Sequence, residues 1–327
     1  MITDSVAFDA RHPFLYRTGR DAGISRRQLS GPKYRRMFTG VYIAAGVELR
    51  PETWARAALL VAPVNTVIAR HTAARIWGAV PPDDWRTHIT TLAPPSDPMS
   101  AEPRERKPFG RVRLEGIDSR VSSDYTRLVW IRGMRVTDPA RTFLDSAEDL
   151  DLVDLVVLGD SIVKNTDLVP QDLIEAAATP GRHRRRARRA AALVRAGVDS
   201  PQESRLRMLI VLAGLPEPEV NIPIMDASGR IRRRLDMGYR EFLIGIEYEG
   251  RQHADDPGQW ANDIARREEL DNLGWRLLLV IAKGVYREAD TTLERLARLL
   301  RERGCTDAAV RSSEWRRYFG PASQRMR

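Results

Sequence analysis

Cysteine is almost absent, with Cys305 alone among 327 residues. A single thiol excludes an intrachain disulfide framework and a Cys-based zinc site. Histidine is scarce too, and His12, His71, His88, His183 and His253 show no zinc-type spacing. No apolar run approaches the roughly 18 residues of a membrane span. The opening MITDSVAFDARHPF lacks a basic region followed by an apolar core, so it does not read as a secretory signal. The expectation is a soluble, cytoplasmic protein.

Positive charge is what the chain has in excess. Lys and Arg number 53 against 44 Asp and Glu, for a formal net charge of +9. That balance favours a polyanionic partner, most simply nucleic acid, although the many Ala and Arg residues also fit a compositional bias. Apolar residues make up 43%, enough for packed cores, and the length suits two or three domains.

The chemistry concentrates in RIRRRLDMGYREFLIGIEYEGRQH, from Arg230 to His253. The stretch reads as two strands, Arg230 to Tyr239 and Leu243 to Glu249, joined by a short turn. Side chains alternate along a strand, so Ile231, Leu235 and Met237 share one face while Arg232, Arg234 and Asp236 share the other. A hairpin then brings Asp236, Glu247 and Glu249 to one side of a sheet. Like charges opposite one another across strands destabilise, and a divalent cation would offset the repulsion. Mg²⁺ takes oxygen ligands from carboxylates, waters and substrate phosphates, and assists phosphodiester displacement. Arg230, Arg232, Arg233 and Arg234, which precede the first carboxylate, suit an approaching phosphate backbone. The plainer alternative is a surface hairpin of cross-strand ion pairs.

Asp236, then Glu247-x-Glu249-Gly250, then His253 resembles the PD-(D/E)xK nuclease superfamily, and within it the bacterial domains related to very-short-patch-repair endonucleases. The helix residues Asp263, Arg266 and Arg267 and the following Gly274-Trp275-Arg276-Leu277 extend the resemblance over about Pro201 to Leu300. The family's Lys position holds Glu249 here, where those relatives usually carry Asp. The resemblance implies Asp236 and Glu247 as Mg²⁺ ligands, with Mn²⁺ an alternative, and Glu249 as a ligand or water-positioning group. It implies His253 as a phosphate contact or proton donor, and Arg232 and Arg234 as phosphate clamps. Glu203 has two readings. Ser200-Pro201-Gln202-Glu203 is a capping box with Pro at the first helical position, and in the resembling nucleases a helix Glu approaches the metal.

Residues 1–47 read as helix (Phe14 to Ala22), turn, short helix (Arg26 to Ser30, capped by Ser25) and hairpin (Tyr34 to Phe38 with Val41 to Ile43). That is the order of a winged helix, with Arg26, Arg27, Lys33, Arg35 and Arg36 available to phosphates or bases. The stretch AGISRRQL…YRRMFTGVYIAAG resembles the N-terminal winged helix of AbiEi-family antitoxins, and ARHTAARIWG, THITTL and RVTDPARTFLDSA resemble their middle region. The same arginines serve equally as solvated charges on a small α+β module.

Residues 48–180 make an α/β middle domain. Helices are expected over Glu52 to Ala62, Thr66 to Trp77, Ala140 to Ala147 and Asp151 to Lys164. Strands are expected over Thr87 to Leu92, Arg111 to Ile117 and Val129 to Val136. His71 and Arg75, one helical turn apart, read as packing or surface residues. Residues 181–199 hold six arginines within Arg182 to Arg189 and read as a basic linker, either solvated or phosphate-tracking. Residues 200–304 form the endonuclease-like domain, in the order helix, three strands, helix, strand, helix. Residues 305–327 read as an irregular basic tail.

The fold class is therefore α+β and multidomain: winged helix, α/β middle, and a restriction-endonuclease-like mixed sheet flanked by helices. The expected function is metal-dependent hydrolysis of double-stranded DNA. The alternative is an antitoxin-like transcriptional regulator that retains the nuclease fold for binding and opposes a cognate toxin. Nothing in the sequence favours the 2′-hydroxyl contacts or stacking platforms of RNA recognition.

Overall fold

The chain divides into two units, one of Met1–Asp149 with Glu175–Arg184, the other of Leu150–Ile174 with Arg185–Arg327. The structure is a computed structural model that describes residues 8–93, 110–225, 228–250 and 267–320. It is a mixed α and β architecture with several sheets.

The first unit begins with β1 (Phe14–Leu15), α1 (Tyr16–Asp21), α2 (Arg26–Leu29), β2 (Tyr34–Phe38) and β3 (Val41–Ala44), in a sheet of order β1-β3-β2. Phe14 and Leu15 do not start the expected helix. They pair antiparallel with Tyr42 and Val41, and two residues are too few for alternation to announce a strand. A capping box opens α2: the Gln28 amide donates to Ser25 Oγ at 3.2 Å, and the Ser25 amide to Gln28 Oε1 at 2.7 Å, so two otherwise orphaned donors are satisfied. The β2–β3 register slips at Met37. The bulge explains why the neighbours Met37 and Phe38 are both buried where strict alternation would expose one.

The rest of this unit holds α3 (Pro51–Leu59), β4 (Thr66–Ile68), α4 (Arg70–Ile76), β5 (Thr87–Leu92), β6 (Ile117–Ser122), β7 (Leu128–Ile131), β8 (Met134–Thr137) and α5 (Pro139–Ser146). The sheet order is β6-β5-β4-β8-β7, with β5–β6 and β4–β8 parallel. Three expectations are corrected here. Thr66 to Ile68 is a strand, not the start of the helix that follows it. The strand expected at Arg111 to Ile117 lies at Ile117–Ser122, after Gly116 (φ +85°). The single strand expected at Val129 to Val136 is a tight hairpin, with Arg132 (φ +48°) and Gly133 (φ +79°) at its turn. Positive φ at both central positions gives the turn whose twist matches the paired strands. Helix α5 starts as expected: Asp138 accepts from the Arg141 amide at 2.7 Å and Pro139 follows it. Ile68, Ile89 and Val136 of this sheet share a core with Phe38, Ile43 and Ala58.

The second unit contains α6 (Leu152–Asn165), α7 (Pro170–Ala178, within which the division falls), α8 (Arg184–Ala191) and α9 (Pro201–Leu212). Strands β9 (Glu219–Met225), β10 (Ile231–Tyr239) and β11 (Ile244–Glu249) follow, then α10 over 267–272 and β12 (Arg276–Ile281). The unit ends with α11 (Ala282–Tyr286), α12 (Ala289–Glu302) and a 3₁₀ turn at Glu314–Arg317. The sheet runs β12-β11-β10-β9, antiparallel except for the parallel β11–β12 pair. Leu235 packs with Ile222, Ile224, Leu270 and Trp275. Ile231 does not join that core. The β9–β10 register slips at Arg232, alternation resets at the bulge, and Ile231 is left 49% exposed. Over its described residues the stretch after Cys305 is irregular apart from that 3₁₀ turn, as expected, but it packs against the unit: Trp315, Tyr318 and Phe319 are buried, and their i, i+3, i+4 spacing puts them on one side of a helical turn. No helix among the described residues is long and apolar enough to cross a membrane.

Candidate functional site

Two groups of ligand-type side chains emerge, one in each unit. In the second unit, β10 and β11 pair through Tyr239↔Ile244, Gly238↔Gly245 and Met237↔Ile246. Asp236 and Glu247 follow immediately on that last pair. There the Asp236 carboxylate itself accepts the Tyr248 amide, at 2.9 Å. This fixes the Asp236 side chain beside β11. Glu247 is buried, whereas Glu249, at the strand end, is exposed; both stand beside the parallel strand β12, opposite Leu279 and Ile281.

Glu203 reaches the same place from α9. Its amide donates to Ser200 Oγ at 3.2 Å, so Ser200 caps α9, but its Oε2 accepts the Asp199 amide at 2.9 Å instead of the Ser200 amide that a capping box would use. Burial, and after it the like charge of Asp236, raises its carboxyl above the ordinary range, while the Asp199 amide opposes the shift. A capping carboxylate exposed to water would carry no such elevation. The structure thus sets Glu203 near Asp236, and the β10–β11 register sets Glu247 beside Asp236. It does not gather Asp236, Glu247 and Glu249 into a group of ligand atoms within 4.8 Å. His253, Asp263 and Arg266 lie outside the described residues.

The two predicted clamps differ. Arg232 pairs with Glu269 at 2.7 Å and Arg233 joins the same carboxylate at 3.0 Å; the bulge presents two consecutive side chains to one partner. Arg234 is exposed and meets Asn221 at 3.4 Å. In the first unit, Arg26 and Arg27 on α2, Lys33 before β2, and Arg35 and Arg36 on β2 are all exposed. From the basic stretch, Arg182 and His183 line a cavity of about 170 Å³ with Arg70 and Arg120, while Ala187, Ala190 and Ala191 of α8 are buried.

The second group was not anticipated. His71 on α4, Asp84 in the connection after it and His88 on β5 place one ligand atom each within 4.8 Å of one another. The imidazoles stack with centroids 4.5 Å apart and planes 16° from parallel. His88 Nε2 lies 3.1 Å from Asp84 Oδ2. The fold fixes this locally: the Ala69 amide donates to the His88 carbonyl at 3.2 Å and the His88 amide to Thr72 Oγ1 at 2.8 Å, so the first turn of α4 is stitched to β5. Burial lowers both imidazole pKa values, with Arg70 adding to the shift at His88. Burial works the other way on Asp84, but hydrogen bonds from Arg86 hold its carboxyl well below the usual range. The pattern Asp84-x-x-x-His88 was the only sequence signal, and without the fold nothing joins it to His71.

No family model matches the chain. Two uncharacterized proteins, from two strains of Mycobacterium tuberculosis, are similar to it, each 28% identical over 177 residues, which is 53% of this chain. The chain spans 65% of the length of these curated relatives.

Proposed function

We propose that this chain is a DNA-binding protein whose second unit carries a metal-dependent endonuclease site hydrolysing phosphodiester bonds in double-stranded DNA. The observation that carries the reading is the pairing of β10 with β11, which sets Asp236 beside Glu247 and Tyr248, with Glu203 on α9 near enough to feel the charge of Asp236. The order α9-β9-β10-β11-α10-β12, with only the β11–β12 pair parallel, agrees with the restriction-endonuclease-like arrangement that the Asp236, Glu247-x-Glu249 pattern implies.

The donor set is all oxygen, which suits Mg²⁺ or Mn²⁺ better than a softer ion. Asp236 and Glu247 would hold the ion, with Glu249 contributing at the strand end. A divalent ion there supplies positive charge to the phosphodiester under attack. Glu249 would orient the attacking water and His253 would meet the scissile phosphate or give a proton to the leaving oxygen. Arg234 would hold a flanking phosphate. Arg232 can do the same only by leaving Glu269. In the first unit, α2 would enter the major groove and the β2–β3 hairpin would act as a wing, with Arg26, Arg27, Lys33, Arg35 and Arg36 on the backbone or base edges.

A second reading, an antitoxin-like regulator paired with a toxin, draws on the lack, among the described residues, of a close three-ligand group at Asp236, Glu247 and Glu249 while the basic residues of α2 and β2 are exposed. Incubation with supercoiled plasmid and mismatch-containing duplexes separates the two. Endonuclease activity predicts nicking that needs Mg²⁺ or Mn²⁺ and disappears in Asp236→Ala. Metal-independent binding without cleavage, equal in both proteins, would leave the regulator.

A further inference from the structure

The His71, Asp84 and His88 group has features that a packed histidine pair does not need. His71 is 4% exposed and His88 1%. Among the described residues, neither ring nitrogen of His71 has a hydrogen-bond partner, nor does Nδ1 of His88. Each neutral imidazole carries one donor and one acceptor, and buried polar atoms of this kind are normally satisfied. Three orphaned imidazole nitrogens beside an ionised carboxylate are polar capacity directed at something small.

From this arrangement we infer that His71, Asp84 and His88 bind a divalent transition-metal ion of the zinc class. Imidazole and carboxylate together suit Zn²⁺ and its neighbours, whereas Mg²⁺ favours oxygen ligands and water. Zinc–ligand bonds of about 2.0–2.1 Å put the ligand atoms of a tetrahedron roughly 3.3 Å apart. From within 4.8 Å the group closes by side-chain adjustments on the order of 1 Å, and the fourth position is left for water. Arg86 at 2.6 Å from Asp84 orients that carboxylate, as outer-shell partners do in metal sites. Because the three ligands come from α4, the connection after it and β5, an ion would clip these elements together.

The site is separate from Asp236 and Glu247 in residues and in ion preference, so the test reads the metal and not DNA cleavage. Full-length protein freed of metal by chelator is titrated with Co²⁺ and followed by visible absorption, then with Zn²⁺ in competition. The inference predicts saturable Co²⁺ d–d bands at one ion per chain, displaced by Zn²⁺ and untouched by excess Mg²⁺. Asp84→Asn and His71→Gln, with folding checked by circular dichroism, are each expected to weaken binding at least about tenfold. If His71→Gln does not fold, Asp84→Asn and the wild-type stoichiometry carry the test. Absent Co²⁺ bands in folded wild type, bands unchanged in Asp84→Asn, or bands that vanish in Asp236→Ala would each overturn it.

Discussion

The two ligand groups are opposites in how they are built. Asp236, Glu247 and Glu249 lie within fourteen positions on one hairpin, so strand periodicity brings them near each other with little help from tertiary structure. They end at a strand terminus, where Glu249 is exposed, and a polymer could approach them. His71, Asp84 and His88 come from a helix, a connection and a strand, meet only because β4, α4 and β5 are stitched together, and are almost closed to solvent. An open group assembled by local sequence suits a large substrate. A closed group assembled by the fold suits a small ion that stays.

The sharpest way to break the comparison is to remove what braces the closed group. Arg70 is 1% exposed and joins Asp118 and Asp149 at 2.7 Å each. Arg70→Ala removes a buried guanidinium from Asp118 and Asp149, which keep Arg86 and Arg120 as partners, and is expected to cost about 2–3 kcal/mol, read as a lower denaturation midpoint of the full chain. Glu249, exposed at its strand end, should cost well below that figure when replaced by Ala. Ser200→Ala removes the cap that positions Glu203 and is expected to cost about 1 kcal/mol, measured the same way. Replacing both Arg26 and Arg27 with Ala is expected to weaken duplex binding and to lower the salt-dependence slope by about one for each lost phosphate contact. A binding isotherm and slope identical to wild type would remove α2 from the DNA surface.

The smallest effect is a pH signature. The Glu203 carboxyl is raised in the folded state from its ordinary 4.5, so between 4.5 and the raised value the folded chain holds a proton that the unfolded chain has released. Stability due to this group therefore falls as pH rises through that window and is constant above it. Glu203→Gln is expected to remove that fall, seen as the difference between wild-type and variant stability across mildly acidic pH. A pH-independent difference would mean that burial and Asp236 together do not raise the Glu203 carboxyl.

The hairpin around Asp236, the capped start of α9 and the strand β12 were legible because strand period, capping chemistry and an apolar run are all local signals. But β12, whose apolar run reads as a buried central strand, lies at the end of the sheet order with only Leu278 and Val280 buried. The bulge at Arg232 was not, and it cost the reading Ile231 and one of the two arginine clamps. Arg132-Gly133 did carry a turn signal inside what looked like one strand. Thr66 to Ile68 was hidden by the helical pattern that continues from it. The His71 group was illegible for a physical reason: seventeen positions separate His71 from His88, and no periodicity spans a strand, a helix and a connection. The buried aromatics Trp315, Tyr318 and Phe319 were overlooked among the arginines that surround them.

The most direct measurement is single-turnover nicking of supercoiled plasmid across a Mg²⁺ titration, with wild type beside Glu247→Gln. The account predicts a rate that saturates with Mg²⁺ in wild type and falls by roughly a thousandfold in the variant, corresponding to about 4 kcal/mol of transition-state stabilisation, while DNA binding without metal stays the same. Plasmid that remains intact at every Mg²⁺ and Mn²⁺ concentration with folded, DNA-bound wild type would contradict it.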